Sequence, residues 1–329
     1  MITLTDNSTA TVNLEPNAPA CTTTCYVDGA TGKILSKYDN LAQARGRALV
    51  FDPNPVIALK DWRPLVRNGR PVSPPARAYT EVSLRDLAGN GLLDGRRVST
   101  RLTSKRVRRL DHRFLFRSTA SGFDEAMIYF HVDRAMRHLE SLGYRGRRAI
   151  FRDPLPANAH GTREDNSWYS PVLRSLTFGT GGVDDAEDGE TILHEFGHAL
   201  QDAICPDFGQ SPEAAARGEG FGDYFAASFF AAKKPPRFRT SVAMWDAIDN
   251  DEYDPPCLRR VDEPLTYESF DHSPDADEHE NGTIWSATLW EVREAVGPEI
   301  ADRIIIESHF QLDGFTTFAR GARAILDAD

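Results

Sequence analysis

Two histidines four residues apart, with a glutamate directly after the first, are the residues of this chain best spaced for chemistry: His194-Glu195-Phe196-Gly197-His198. Ile192, Leu193, Phe196, Ala199, Leu200, Ala203 and Ile204 recur around them at helical spacing, which predicts a helix. Residues four apart on a helix stand one above the other on the same face, so both imidazoles can reach one ion. Glu195, one step round, can reach a water at that ion without ligating it. Among nine histidines, an H-E-x-x-H match arises by chance on the order of once or twice in a hundred. Its place inside a strongly periodic helix, not a loop, favours chemistry.

Catalytic zinc takes three protein ligands and keeps one position open. A neighbouring helix has to bring the third. Arg217-Gly218-Glu219-Gly220-Phe221-Gly222-Asp223 follows a helix start at Ser211-Pro212, and Phe221, Phe225, Ala226 and Phe229 give it an apolar face. Each of its three glycines costs roughly 1 kcal/mol against alanine in a helix, a cost that makes sense where two helix backbones must approach closely. Glu219 is the expected third ligand. Asp223, four residues on, is placed to accept the second ring proton of His194 and fix its tautomer.

The elements that must position these groups follow from the wider pattern. Apolar spacing predicts a helix over 124–142, with His131 and His138 as structural or surface residues, and helices over 186–204, 212–232, 283–296, 298–309 and 315–327. A strand is expected at Ser175–Phe178, followed by a flexible turn in Gly179-Thr180-Gly181-Gly182, which matches no phosphate-loop pattern. Prolines and glycines over 52–75 suit short strands and turns, and Tyr26–Leu35 reads as two strands around a turn. The expected class is α+β, with a β-rich N-terminal half and an α-helical C-terminal half.

A net charge of −11 argues against nucleic acid or an anionic membrane as partner. No apolar run approaches the ~18 residues that cross a bilayer, and residues 1–30 lack a signal-peptide pattern. Cys21, Cys25, Cys205 and Cys257 lack the paired spacing of a four-cysteine zinc site. They are structural, either free or paired, most simply Cys21 with Cys25 and Cys205 with Cys257.

With these residues in place, the chain resembles the thermolysin-like zinc metallopeptidases (gluzincins), and the fungalysin type and its bacterial relatives in particular. The carrying segments are Gly182–Asp188, His194–Gln201, Gly218–Ala226 and His279-Glu280-Asn281-Gly282-Thr283-Ile284-Trp285, the last similar to H-x-x-G-x-x-W. The resemblance implies two lobes with the zinc helix between them: a pro-region remnant or hairpin over 1–45, a β-rich lobe over 46–205 and an α-helical lobe over 206–329. It implies a zinc-dependent endopeptidase with His194, His198 and Glu219 on the metal, Glu195 as general base and His279 stabilising the oxyanion. The Gly282 and Trp285 offsets select His279 over His272.

The resemblance also makes Asp165-Asn166-Ser167-Trp168-Tyr169 an edge strand binding the substrate backbone through Asn166 and Ser167, with serine in place of the usual alanine. It puts an arginine that steadies the substrate carbonyl in Cys257-Leu258-Arg259-Arg260, Arg259 being the candidate. In relatives the pocket after the scissile bond is often apolar. Peptidase proper would begin near Val50–Val56, and relatives continue beyond the helix ending at Asp329. Asp184, Asp185, Glu187, Asp188 and Glu190 have two open readings, helix capping or a calcium site. The expected partner is a peptide or protein substrate, met as a monomer. Relatives place the protein outside the cell, and the cytoplasm stays open. A zinc-stabilised peptide-binding module or a zinc hydrolase of other amides and esters are the competing readings.

Overall fold

The computed structural model describes residues 44–329 and, before them, four strands: β1 (Ile2–Thr5), β2 (Thr9–Val12), β3 (Thr23–Val27) and β4 (Ile34–Asp39). These pair in the order β1-β2-β3-β4, all antiparallel. The expected hairpin is the β3–β4 pair, with Val27 opposite Ile34. Its turn and its side chains, and with them the Cys21–Cys25 pairing, lie outside the described residues.

β5 (Ala44–Val50) leads into a five-residue helix, α1 (Pro55–Leu59), in the region expected to suit short strands and turns. The Asn54 side chain caps α1 by accepting from Ile57 N at 3.0 Å, and Pro55 opens it with a pre-set φ. A two-residue hairpin follows, β6 (Val66–Arg67) with β7 (Arg70–Pro71). Then come β8 (Thr80–Leu87), β9 (Val98–Ser99), β10 (Arg113–Phe114) and the long helix α2 (Gly122–Ser141). One sheet runs β10-β5-β8. The other runs β12-β13-β11-β9, from β11 (Leu155–Asn158), β12 (Trp168–Ser170) and β13 (Ser175–Thr177), with β12 antiparallel on its edge. Helix α2 buries Met127, Ile128, Val132, Ala135, Met136 and Leu139, the spacing read from the sequence.

Beyond residue 188 the chain is mainly helical: α3 (Gly189–Ile204), α4 (Pro212–Phe230), α5 (Glu278–Val296), α6 (Pro298–Ser308) and α7 (Phe318–Ala328), with one small hairpin, β14 (Ser241–Val242) and β15 (Arg259–Arg260). Asp188 caps α3 through Glu190 N at 2.9 Å, and Ser211 caps α4 through Ala214 N at 3.3 Å. Helix α5 starts five residues earlier than expected because Asp277 caps it, accepting from His279 N at 2.7 Å. One continuous core joins sheet residues such as Ala48 and Leu176 to Ile192, Phe196, Phe221, Ile284 and Ile305 on the helices.

The Cys205–Cys257 pairing is overturned. Both thiols are free and buried, Cys205 at the end of α3 and Cys257 in a separate cluster with Val56, Phe238, Met244 and Trp245. A buried ion pair, Lys234 with Glu190, ties the first turn of α3 to the segment after α4, both side chains being fully enclosed.

Helix α4 lies between α3 and α5, and glycine sets both spacings. A Cβ on Gly197 would stand 2.9 Å from Gly222 Cα, and one on Gly220 would stand 2.3 Å from the Gly282 carbonyl oxygen. Helix propensity alone predicts that Gly220→Ala stabilises by about 1 kcal/mol. The packing predicts the reverse, a loss of about 1–3 kcal/mol from overpacking, read as a lower midpoint in urea denaturation. A raised midpoint would rule out the close-approach account.

Candidate metal centre and cleft

The three expected ligands converge. His194 Nε2 lies 3.1 Å from His198 Nε2 and 3.1 Å from Glu219 Oε2, and His198 Nε2 lies 3.4 Å from Glu219 Oε1. The 3.6-residue period brings the two rings to one face of α3, and the Gly197–Gly222 contact brings α4 close enough for Glu219 to meet them. Two donors at zinc's usual 2.0–2.1 Å in tetrahedral geometry stand about 3.3 Å apart, so this spacing suits one such ion.

Asp223 fixes which atom faces that point. Its Oδ1 lies 2.8 Å from His194 Nδ1, and a carboxylate there makes Nδ1 a donor, so Nε2 is the ring atom turned toward His198 and Glu219. Arg259 in turn holds Asp223 with two hydrogen bonds, Nε to Oδ2 at 2.6 Å and Nη2 to Oδ1 at 2.9 Å. Burial alone would lift the Asp223 carboxyl, but Arg259 and His194 outweigh it and hold the group below the ordinary carboxylate range. Burial opposes charge on His194 too, yet Asp223 and Glu219 raise it to about 10. Glu219 itself is held well below its ordinary value: burial is outweighed by the two histidines. The site is electrostatically built to hold positive charge between carboxylates.

Glu195 is buried, and its Oε2 has no hydrogen-bond partner among the described residues. The N, N, O donor set with an unpartnered carboxylate oxygen beside it is the chemistry of a metal with a water-handling base, so the residues fit the group. His279 joins the cluster from the first turn of α5, with Nε2 3.3 Å from Glu219 Oε2 and Nδ1 3.1 Å from Asp277 Oδ1. Its side chain is 46% exposed, which leaves it open to the cleft. His272 is not there and packs on Phe270. His131 and His138 are structural: His131 Nε2 lies 2.9 Å from Phe51 O, and His138 Nε2 lies 3.1 Å from Asp302 Oδ2.

The cleft has a volume near 810 Å³ and is lined by Asn166, Ser167, Glu195, Arg259 and His279 among others. Arg260 turns away, onto Asp262 and Thr240. The Gly179–Gly182 run is a packing device as well as a turn, because a Cβ on Gly179 would stand 2.2 Å from Glu164 O and one on Gly181 2.4 Å from Asp165 N. It lets the segment before β12 sink toward α3. There Ser167 Oγ donates to Asp185 Oδ2, a contact the usual alanine could not make.

The five acids at the start of α3 and just before it do not face one point. Asp188 caps the helix and accepts from Trp245 N at 2.9 Å, and Glu190 pairs with Lys234. Asp184 and Glu187 gather with Asp124, and Asp185 gathers with Asp165 and Asp246, each trio offering oxygens within 4.8 Å of one another. Asp246 escaped the sequence reading. It sits 48 residues beyond His198 among other acids, with no motif to mark it.

Comparison with known proteins now adds to the geometry. Residues 171–299 match the family described as Fungalysin metallopeptidase (M36). The chain is 27% identical, over 180 residues and 44% of its length, to the Extracellular metalloproteinase mep of Aspergillus terreus, and spans 27% of that protein. The precursor of protealysin, a metalloproteinase from Serratia proteamaculans, superposes with a TM-score of 0.48 at 16% identity, over 62% of this chain and 71% of that one. The matched segment contains His194, Glu195, His198, Glu219, Asp223, Arg259 and His279, so the similarity to that family covers the residues gathered in the cleft.

Proposed function

We propose that this chain is a zinc-dependent endopeptidase, and the observation that carries the reading is the convergence of His194, His198 and Glu219 beside the unpartnered carboxylate of Glu195. His194, His198 and Glu219 would hold the zinc, which when bound supplies Lewis acidity to the scissile carbonyl and to a water. Glu195 accepts a proton from the attacking water and later delivers it to the leaving amine. His279, directed into the cleft from the first turn of α5, donates to the oxyanion. Arg259, half committed to Asp223, keeps its charge beside the substrate carbonyl. The substrate lies extended along β12, whose outer edge has no strand partner among the described residues. In this reading lobes over 46–205 and 206–329 flank the cleft, the protein works as a monomer, and its setting is extracellular, as the name of the Aspergillus relative suggests for that protein.

Glu195→Gln is expected to lower kcat/KM on mixed peptides by about 10²–10⁴-fold while zinc content, read by atomic absorption, stays at that of the wild type. Activity retained in this variant would sink the general-base assignment. Asp223→Ala removes the acceptor that orients His194, and zinc affinity in a competing-chelator titration is expected to fall roughly 10–100-fold. An unchanged affinity would leave Asp223 with only its Arg259 contact.

A calcium ion is proposed at Asp124, Asp184 and Glu187, supported by the buried Asp124 Oδ1 that lacks a partner. Burial lifts Asp124 to about 6 and Glu187 to about 8, although His160 Nε2 lies 2.8 Å from Asp124 Oδ2. Calcium is expected to raise the melting temperature of wild type and not of Glu187→Gln; equal shifts in both would remove the site.

A further inference from the structure

The wall of the cleft next to Glu195 is acidic where relatives often have an apolar pocket. Asp185 sits on the turn before α3, 2% exposed, with Oδ2 accepting from Ser167 and Oδ1 buried without a partner. The Asp246 carboxylate accepts no hydrogen bond among the described residues, and its Oδ1 is buried. Asp165 completes the trio, its oxygen within 4.8 Å of the other two. Arg259 is the one lysine or arginine among the cleft-lining residues, and Asp223 already engages it on both carboxylate oxygens. Two of the acids that line the cavity therefore each hold a buried oxygen with no hydrogen-bond partner, a costly arrangement that a cationic guest reaching the trio would relieve.

Resting on the peptidase reading, we propose that Asp185, Asp246 and Asp165 form a specificity pocket for a lysine or arginine side chain of the substrate, at a position next to the cut bond. The reach is right. Thr191 and Glu195 line the same cavity one helical turn apart, about 6 Å along α3, and Asp185 lies just before that helix begins. A side chain one residue from the reacting carbonyl spans that distance. The lining supplies both parts of such a guest's surroundings, because Val242, Ala243 and Leu258 share the cavity with the acids. An alkyl stem packs on those aliphatic groups and its charged end meets the carboxylates. A bare metal ion would make no use of the aliphatic wall. The serine at 167 belongs to the same device, since its hydroxyl orients Asp185 and leaves Oδ1 for the guest.

The test uses the full chain loaded with zinc and a mixed peptide library read by mass spectrometry. Matched peptides carrying lysine or norleucine at the position next to the cut follow. Lysine or arginine at one fixed position beside the cut is expected, with kcat/KM for lysine on the order of a hundredfold above norleucine. In Asp246→Asn that ratio is expected to collapse toward one, and Ser167→Ala is expected to lower it without abolishing it. Melting curves establish that each variant is folded. Cleavage with apolar residues preferred at every position overturns the pocket and leaves the peptidase reading standing. Calorimetry of the same two peptides on Glu195→Gln separates binding from turnover. Tighter binding of the lysine peptide, with no cleavage by wild type, supports the pocket and removes the peptidase reading. Calcium alone binding to wild type and not to Asp246→Asn overturns the proposal in favour of a metal site.

Discussion

Everything at this site depends on how closely three helix backbones can approach one another. The candidate ligands stand on α3 and α4, and His279 stands on α5, so the donors meet only if α4 lies against both neighbours with almost no side chain between. Gly197 against Gly222, and Gly220 against the Gly282 carbonyl, make that contact possible. Each glycine weakens its own helix by roughly 1 kcal/mol, and the loss is offset by the apolar faces that the close packing brings together. Phe196, Phe221, Phe225 and Ile284 belong to one core that continues into the sheets. The candidate metal centre is thus an extension of core packing, and its geometry is as stiff as the core.

A chain of charge runs outward from that packing. Arg259 holds Asp223, Asp223 holds His194, and His194 faces Glu219 and His198. Each step is a charge-assisted hydrogen bond in a buried place, where such bonds are strong and where the loss of one partner is expensive. The hairpin of β14 and β15 carries Arg259 to this position, which explains a two-strand element standing among helices. The same hairpin and the loop joining its strands bring Val242 and Asp246 into the cleft, so the cluster around His194 and the acidic wall are parts of one assembly.

The acids show how burial divides a run of like residues. Asp184, Asp185, Glu187, Asp188 and Glu190 are near neighbours in sequence, yet one caps a helix, one pairs with a buried lysine, two turn toward Asp124 and one faces the cleft. A short 3-10 turn at Asp185–Glu187 separates their directions. Local sequence carries the charge of such a run; the direction of each side chain comes from the elements that pack on it.

The residues alone determined the local part of this protein. The apolar period placed α2 to α7 to within a few residues, except for the start of α5, and the spacing of His194, His198, Glu219 and Asp223 within two helices foretold their meeting, because helical geometry turns sequence distance directly into direction. Tertiary structure decided what no short spacing encodes. It left Cys205 and Cys257 apart and unpaired, chose Arg259 over Arg260 for the cleft, used the glycines after β13 to seat Ser167 against Asp185, and drew Asp165, Asp185 and Asp246 together across 81 residues of chain. Contacts of that kind arise where separate elements share one buried surface, and a sequence read one segment at a time holds no term for that surface.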